Sequence, residues 1–373
     1  MLNPAGKDLA NRNEPGKLAA FMSSPARKIC FVAAESEEEA FYTDRFDGHE
    51  LVFCERLADV PPDTEVLSVF IGERLTGEFL QARPGIRLIA TRSTGCDHID
   101  LAACREGGVL VTHVAGYGEN TVAEHTFALM LALSRRLRES TEAALSGNYT
   151  HEDLRGGDLR GRTLGVVGAG RVGLHVIRIA LAFGMDVVAF DAHPQRLYTE
   201  ILDFRYTSFD ELLRRSDIIT LHVPINESTF HLLNRETLGR CRPGVRIINT
   251  ARGGLIDSRA LLEALDSGQV AGAGLDVLEE ESVFRGGAAQ LGQQIADRVR
   301  SGKAEGDRIA LPEGRRHEIA RFLSSNALLR RPEVVFTPHN AYNSDEARAF
   351  INRLTAENIE CWLDGEIPDR LCP

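Results

Sequence analysis

The chain has 373 residues, 43% of them hydrophobic and 26% charged, the make-up of a soluble globular protein long enough for two ordinary domains. Its 43 basic and 54 acidic residues leave a net charge of -11, which disfavours a protein built to neutralise nucleic-acid phosphates. The longest apolar runs fall well short of the roughly 20 residues that span a membrane, so no transmembrane segment is expected.

Residues 1–26 are rich in Asn, Pro, Gly and Ala and lack the apolar core of a secretory signal. They read as an N-terminal extension on a cytoplasmic chain. Apolar runs at 28–32, 66–71, 88–90 and 109–111 alternate with polar or helical segments and predict a small parallel α/β unit over 27–118. Thr121 followed by Glu124 forms a capping-box pattern that opens a helix over 122–137, apolar nearly all round and therefore expected to be buried. From residue 163 the alternation sharpens. Strands are predicted at 163–167, 186–190, 218–223, 246–249 and 272–275, with helices at 172–183, 208–215 and 258–267, which specifies a doubly wound parallel sheet. Residues 282–331 break this rhythm, hold ten basic against five acidic residues, and read as an inserted excursion. A strand at 334–337 and an amphipathic helix over 344–363 close the chain.

Seven cysteines, among them Cys96 and Cys372, are an odd number without a CxxC pair. They fit neither a disulfide framework nor a zinc ribbon and read as reduced, mostly packed thiols, and no metal site is expected. Gly168, Gly170 and Gly173 form GAGRVG between a predicted strand and a predicted helix. Glycines there permit the tight turn, the close approach of a pyrophosphate, and tight helix packing, while the helix N-terminus favours negative charge. Asp191 ends the next strand, where a carboxylate would accept bonds from ribose hydroxyls and repel a 2′-phosphate, favouring NAD over NADP. Arg171 either helps hold the pyrophosphate or lies in solvent.

The segments GRTLGVVGAGRVGLHVIRIALAFGMDVVAFD, SDIITLHVP, INTARGGLIDSRALLEALDSGQVAGAGLDVLEEE and TPHNA, in this order, resemble the D-isomer-specific 2-hydroxyacid dehydrogenases, most of all the D-lactate dehydrogenase group. Upstream, TRSTGCDHIDL and YGENTVAEHTFALMLALSRR resemble the same family. The resemblance implies two Rossmann-like or flavodoxin-like parallel-sheet domains, an NAD domain (119–342) inserted into a discontinuous substrate domain (27–118 plus 343–373). It also implies a homodimer and a small 2-oxo acid substrate, while the charge and the short apolar runs noted above lead to no nucleic-acid or membrane partner being expected.

It further implies a catalytic set. Arg252 would fix the substrate carboxylate and polarise the ketone with its planar fork. His339 would exchange a proton with the substrate oxygen, a task suited to imidazole. Glu281 would orient and charge that ring, although the run Glu279, Glu280, Glu281 leaves the choice open by composition alone. Thr94 and Gly95 match positions whose backbone N–H groups hold the carboxylate, and Tyr117 matches a substrate-facing tyrosine, here preceded by Ala115-Gly116 where Pro-Ala is usual. Val172, Val223, Pro224, Thr229, Thr250, Ala251 and Asp276 match further cofactor positions, whereas His125 and His222 read as structural. Pyruvate reduction to D-lactate is the expected reaction, hydroxypyruvate, glyoxylate or another 2-oxo acid being alternatives, and an NAD-sensing corepressor-like binding protein is the alternative from another class.

Overall fold

The computed structural model describes residues 26–72, 74–279, 281 and 313–372. Its contacts divide into two units, one comprising the chain up to Tyr117 together with the segment from Asp345 onward, the other Gly118–Ser344.

The first unit is built on a parallel sheet of β1 (Lys28–Val32), β2 (Glu50–Cys54), β3 (Val66–Val69), β4 (Leu88–Thr91) and β5 (Leu110–Thr112), in the order β2-β1-β3-β4-β5. Every residue of β3 and β4 is buried, because a central parallel strand is covered on both faces and so reads as a continuous apolar run. On one face Ile29, Phe31 and Leu88 pack with Tyr42 and Phe46, and with Ala356 and Ile359 of the C-terminal helix Asp345–Leu363. On the other, Cys30, Leu67 and Ile89 meet Leu75, Leu80 and Cys104. Strand β2 is absent from the sequence reading. It is an edge strand with four half-buried residues, so neither strict alternation nor a buried run marks it.

The second unit holds seven parallel strands: β6 (Thr163–Val167), β7 (Asp186–Phe190), β8 (Arg205–Tyr206), β9 (Ile218–Leu221), β10 (Val245–Asn249), β11 (Val270–Leu275) and β12 (Val334–Phe336). Their order is β12-β11-β10-β9-β6-β7-β8, so the direction of winding reverses between β6 and β9, the switch point where such sheets open a crevice at the strand carboxyl ends. The two parallel sheets confirm the expected fold class.

Two expectations are corrected, and a third lies partly outside the described residues. The helix predicted to start behind Thr121 runs over Glu119–Ser134 with Gly118 at its N-cap and no side-chain cap bond. Thr121 lies inside the first turn, and Glu124 accepts a bond from Asn120 instead. The excursion expected over 282–331 falls partly outside the described residues, and its end is a helix, Glu313–Leu329, in the second unit. There Leu328 is fully buried and Ser325 Oγ donates to Glu279 O at 3.2 Å. Finally, Cys96 and Cys372 are joined in a disulfide with a Cα–Cα distance of 6.5 Å. Spacing rules missed it because the partners stand 276 residues apart and meet only where the C-terminal segment bridges antiparallel to Thr112 through Leu371.

Candidate active site

The glycine turn lies between β6 and the helix Arg171–Ala182. Gly168 has φ +94°, a conformation that side chains resist, and a Cβ on Gly173 would run into Gly168 O, so helix and turn close on each other only because both are glycine. A Cβ on Gly170 would meet nothing within 4 Å, so space stands open above the turn at the helix N-cap. Asp191 also shapes this turn. Its Oδ2 accepts from Ala169 N at 2.8 Å and its Oδ1 from His193 N at 2.8 Å, which ties the end of β7 to the loop. The glycine cradle, the open N-cap and the carboxylate fit a dinucleotide with unphosphorylated ribose. Arg171 donates to Glu119 Oε1 at 3.0 Å with its side chain 73% exposed, and Val172 is partly buried in the core below the turn.

On the other side of the switch point, Val223 packs half-buried at the end of β9. Thr229 Oγ1 donates to Pro224 O at 2.7 Å and accepts from Asn226 N at 2.8 Å, so Thr229 fixes the 224–229 loop. Deeper in the unit, burial holds His222 neutral, its pKa pushed down to about 3, and its Nε2 lies 2.9 Å from Thr220 Oγ1.

Arg252 follows β10. Asn249 shapes its turn, accepting from Ala251 N at 3.0 Å and donating to Arg252 O at 2.8 Å, while Arg252 Nη1 donates to Ala251 O at 2.8 Å. Thr250 Oγ1 lies 3.0 Å from Thr126 Oγ1, and Thr126 already donates to Val122 O, so Thr250 is the donor of that pair. A Cβ on the next residue, Gly253, would collide with the backbone of Leu278 and Glu279. This close approach brings the arginine turn against the strand-end segment that leads to Glu281.

His339 follows β12, and its Nδ1 lies 2.8 and 3.1 Å from the two oxygens of Glu281. Both side chains are mostly buried, at 16% and 22% exposure. His339 also has φ +54°, costly for a residue with a side chain, so its position needs outside support. Asp276, fully buried at the end of β11, supplies it. Its backbone O accepts from His339 N at 2.8 Å, its Oδ1 from Asn340 N at 2.8 Å, and its Oδ2 from Ala341 N at 2.9 Å. Thr337 Oγ1 donates to Oδ1 at 2.5 Å, and His125 Nε2 stands 2.9 Å from that hydroxyl and 3.5 Å from Oδ1. Burial pushes the Asp276 carboxyl up, but the bonds to His125, Thr337 and the 340–341 backbone outweigh it and hold the pKa below the usual value. His125, read from sequence as merely structural, thus braces the loop that carries His339; its sole signal was its position on a buried helix.

The acidic run separates by role. Glu279 is buried, bonding His231 Nε2 at 2.7 Å and Ser258 N at 2.9 Å, whereas Glu281 meets His339, and Glu280 lies outside the described residues. Thr94, Gly95 and Tyr117 belong to the first unit. Thr94 Oγ1 donates to Val114 O at 2.8 Å, Thr94 O lies 2.9 Å from His113 Nδ1, and Gly95 O accepts from Ser93 Oγ at 2.8 Å. Among the described residues, no group of three His, Cys, Asp or Glu is placed to hold a metal ion.

A dinucleotide cradle at the switch point of a doubly wound sheet, with a carboxylate-braced histidine behind another strand of the same sheet, defines a nicotinamide-dependent dehydrogenase. The chain belongs to the D-isomer specific 2-hydroxyacid dehydrogenases, whose NAD-binding-domain model matches residues 127–341. It is an oxidoreductase of the NAD-dependent kind. It is 40% identical over 227 residues to a hydroxypyruvate reductase of Thermotoga maritima, covering 61% of this chain and 73% of that one. A crystal structure of D-lactate dehydrogenase from Aquifex aeolicus, complexed with NAD and lactic acid, superposes with a TM-score of 0.76 at 34% identity, covering 91% of this chain and 96% of the other. The pyruvate reductase of Chlamydomonas reinhardtii gives 0.75 at 31%, covering 92% and 98%.

Asp191→Ala is expected to weaken NADH binding about 10-fold, since Ala169 N of the turn and His193 N behind β7 lose a charged acceptor, and to narrow the preference over NADPH. Fluorescence titration with both nucleotides measures it, and an unchanged affinity ratio would remove Asp191 from the selectivity argument.

Proposed function

We propose that this protein reduces a small 2-oxo acid to the D-2-hydroxy acid, with pyruvate to D-lactate as its main reaction. The observation that carries the reading is the His339–Glu281 pair at 2.8 Å. Glu281 takes Nδ1 and fixes the ring, which leaves Nε2 to deliver the proton to the developing alkoxide. The Arg252 guanidinium holds the substrate carboxylate and draws charge onto the carbonyl oxygen. Thr94, Gly95 and Tyr117 are the substrate contacts proposed for the first unit. Gly168, Gly170, Gly173, Asp191, Thr250 and the loop braced by Thr229 hold the nicotinamide dinucleotide, which supplies the hydride when bound. Asp276 has its carboxylate engaged by the His339 loop, so its proposed part in the cofactor site is to set that loop.

The relatives named D-lactate dehydrogenase and pyruvate reductase support pyruvate as substrate. Hydroxypyruvate is the second reading, favoured by the Thermotoga relative. We assign the protein to the cytoplasm as a homodimer. Leu137, Leu145 and Tyr149 are exposed along and beside a surface cavity of about 540 Å3, apolar area suited to a second copy. Steady-state turnover with NADH across pyruvate, hydroxypyruvate, glyoxylate and phenylpyruvate tests the reading. The highest kcat/KM is expected for pyruvate. A protein that binds NADH tightly yet turns over none of the four would instead be a cofactor-sensing binding protein.

A further inference from the structure

The bond between Cys96 and Cys372 joins the penultimate residue of the chain to the loop that carries Thr94 and Gly95. We propose that this pair is a reversible thiol–disulfide site, taken by dithiol reductants, that sets the order of the Thr94–Gly95 loop and through it the affinity for the 2-oxo acid. The inference rests on the functional reading of that loop given above.

Three features of the first unit support it. Both cysteines are half-buried, so a dithiol can reach the sulfurs, unlike a bond sealed in a core. The three buried thiols, Cys30, Cys104 and Cys241, are poor competitors for exchange. Burial raises the pKa of Cys104 to about 11 and of Cys241 to about 12, and raises Cys30 further, so they stay protonated at neutral pH. Reduction would also act locally. The C-terminal segment keeps its main-chain ties, with Cys372 N donating to Val111 O at 2.8 Å and His113 N to Arg370 O at 3.0 Å, and Arg370 Nη1 donates to Asn358 Oδ1 at 3.3 Å. The loop keeps main-chain bonds at its two ends, Val114 N to Ser93 O at 3.0 Å, Leu75 N to His98 O at 2.8 Å and Ile99 N to Cys96 O at 3.0 Å, while the Thr94–Gly95 stretch between them would be left with side-chain bonds, Thr94 to Val114 O and Ser93 to Gly95 O. Two backbone N–H groups bind an anion well only while held in a fixed nest. Tethering the loop to an anchored chain end therefore lowers the ordering cost of binding.

The step balances as ordinary exchange. One thiolate of the dithiol attacks a sulfur of the bond and displaces the other cysteine as a thiolate, which takes up a proton. The second thiol then resolves the mixed disulfide. Two electrons reduce the protein pair to two thiols while the dithiol becomes a disulfide, and a disulfide-class oxidant reverses the exchange. In a reducing compartment a pair of this kind is transient and regulatory.

The test uses the full chain purified without reductant, before and after treatment with dithiothreitol. Thiol titration in denaturant is expected to count five thiols before and seven after, in line with the five cysteines outside the bond. Reduction is expected to raise KM for the 2-oxo acid by about threefold or more, with kcat and NADH affinity little changed. Cys372→Ser is expected to show the raised KM and no response to dithiothreitol, and Cys96→Ser serves equally should the first variant fold poorly. Seven thiols before treatment, or a KM indifferent to reduction, overturns the proposal. If neither redox form turns over any 2-oxo acid, the functional reading fails on its own account. Amide exchange over residues 93–98 then decides the site, which survives when exchange there rises on reduction and falls when it does not.

Discussion

His339→Ala is expected to lower kcat by about 10²- to 10⁴-fold while NADH affinity stays within about twofold, the signature of a lost proton-transfer group. The side chain is held by Glu281 and contributes nothing to the glycine turn, so removing it leaves the cradle between β6 and the helix Arg171–Ala182 intact. Stopped-flow reduction at substrate saturation, paired with an NADH fluorescence titration, separates the two effects. A variant with kcat near wild type would sink the acid–base assignment. One that lost NADH binding in parallel would show that His339 shapes the cofactor site instead.

Asp276→Ala is expected to cost about 2–5 kcal/mol of stability, because it strips the acceptor from Asn340 N, Ala341 N and the Thr337 hydroxyl together, and unsatisfied buried donors cost about 1–3 kcal/mol each. Freed from its brace, the left-handed conformation of His339 should relax, lowering kcat about 10²-fold in whatever protein remains folded. The pH dependence has a definite sign. The folded-state pKa of Asp276 lies below its ordinary value of 3.8, so its ionised form adds stability that is present above that pH and is lost as the pH falls through the folded-state pKa. The wild type should therefore unfold more steeply below pH 3.8 than Asp276→Asn, which has no proton to take up. Urea midpoints at pH 7 and between pH 4 and 2 measure both effects, and parallel acid limbs for the two proteins would remove the carboxylate from the account.

These cases show what the sequence could and could not carry. The glycine turn and Asp191 were legible because one strand, one turn and one helix state the requirement locally, within the span from Thr163 to Asp191. The choice of Glu281 over Glu279 came from family resemblance, since three adjacent carboxylates look alike until burial sends one to His231 and another to His339. The support for Asp276 was invisible. Its partners stand at 125, 337, 340 and 341, and no local pattern links a histidine on a buried helix to a carboxylate at a strand end. The Cys96–Cys372 bond escaped for the same reason, as did the helix Glu313–Leu329, whose apolar residues show little sidedness in sequence.

The insertion of Gly118–Ser344 into the first unit also imposes a timetable on synthesis. The apolar face formed by Phe31, Tyr42 and Leu88 waits for Ala356 and Ile359, which leave the ribosome more than two hundred residues later. During that interval the inserted unit, complete in its own sequence, can already fold. The start of the chain meanwhile carries an uncovered face open to chaperones and aggregation. Order of completion thus runs opposite to order of synthesis: the unit begun first is the unit finished last.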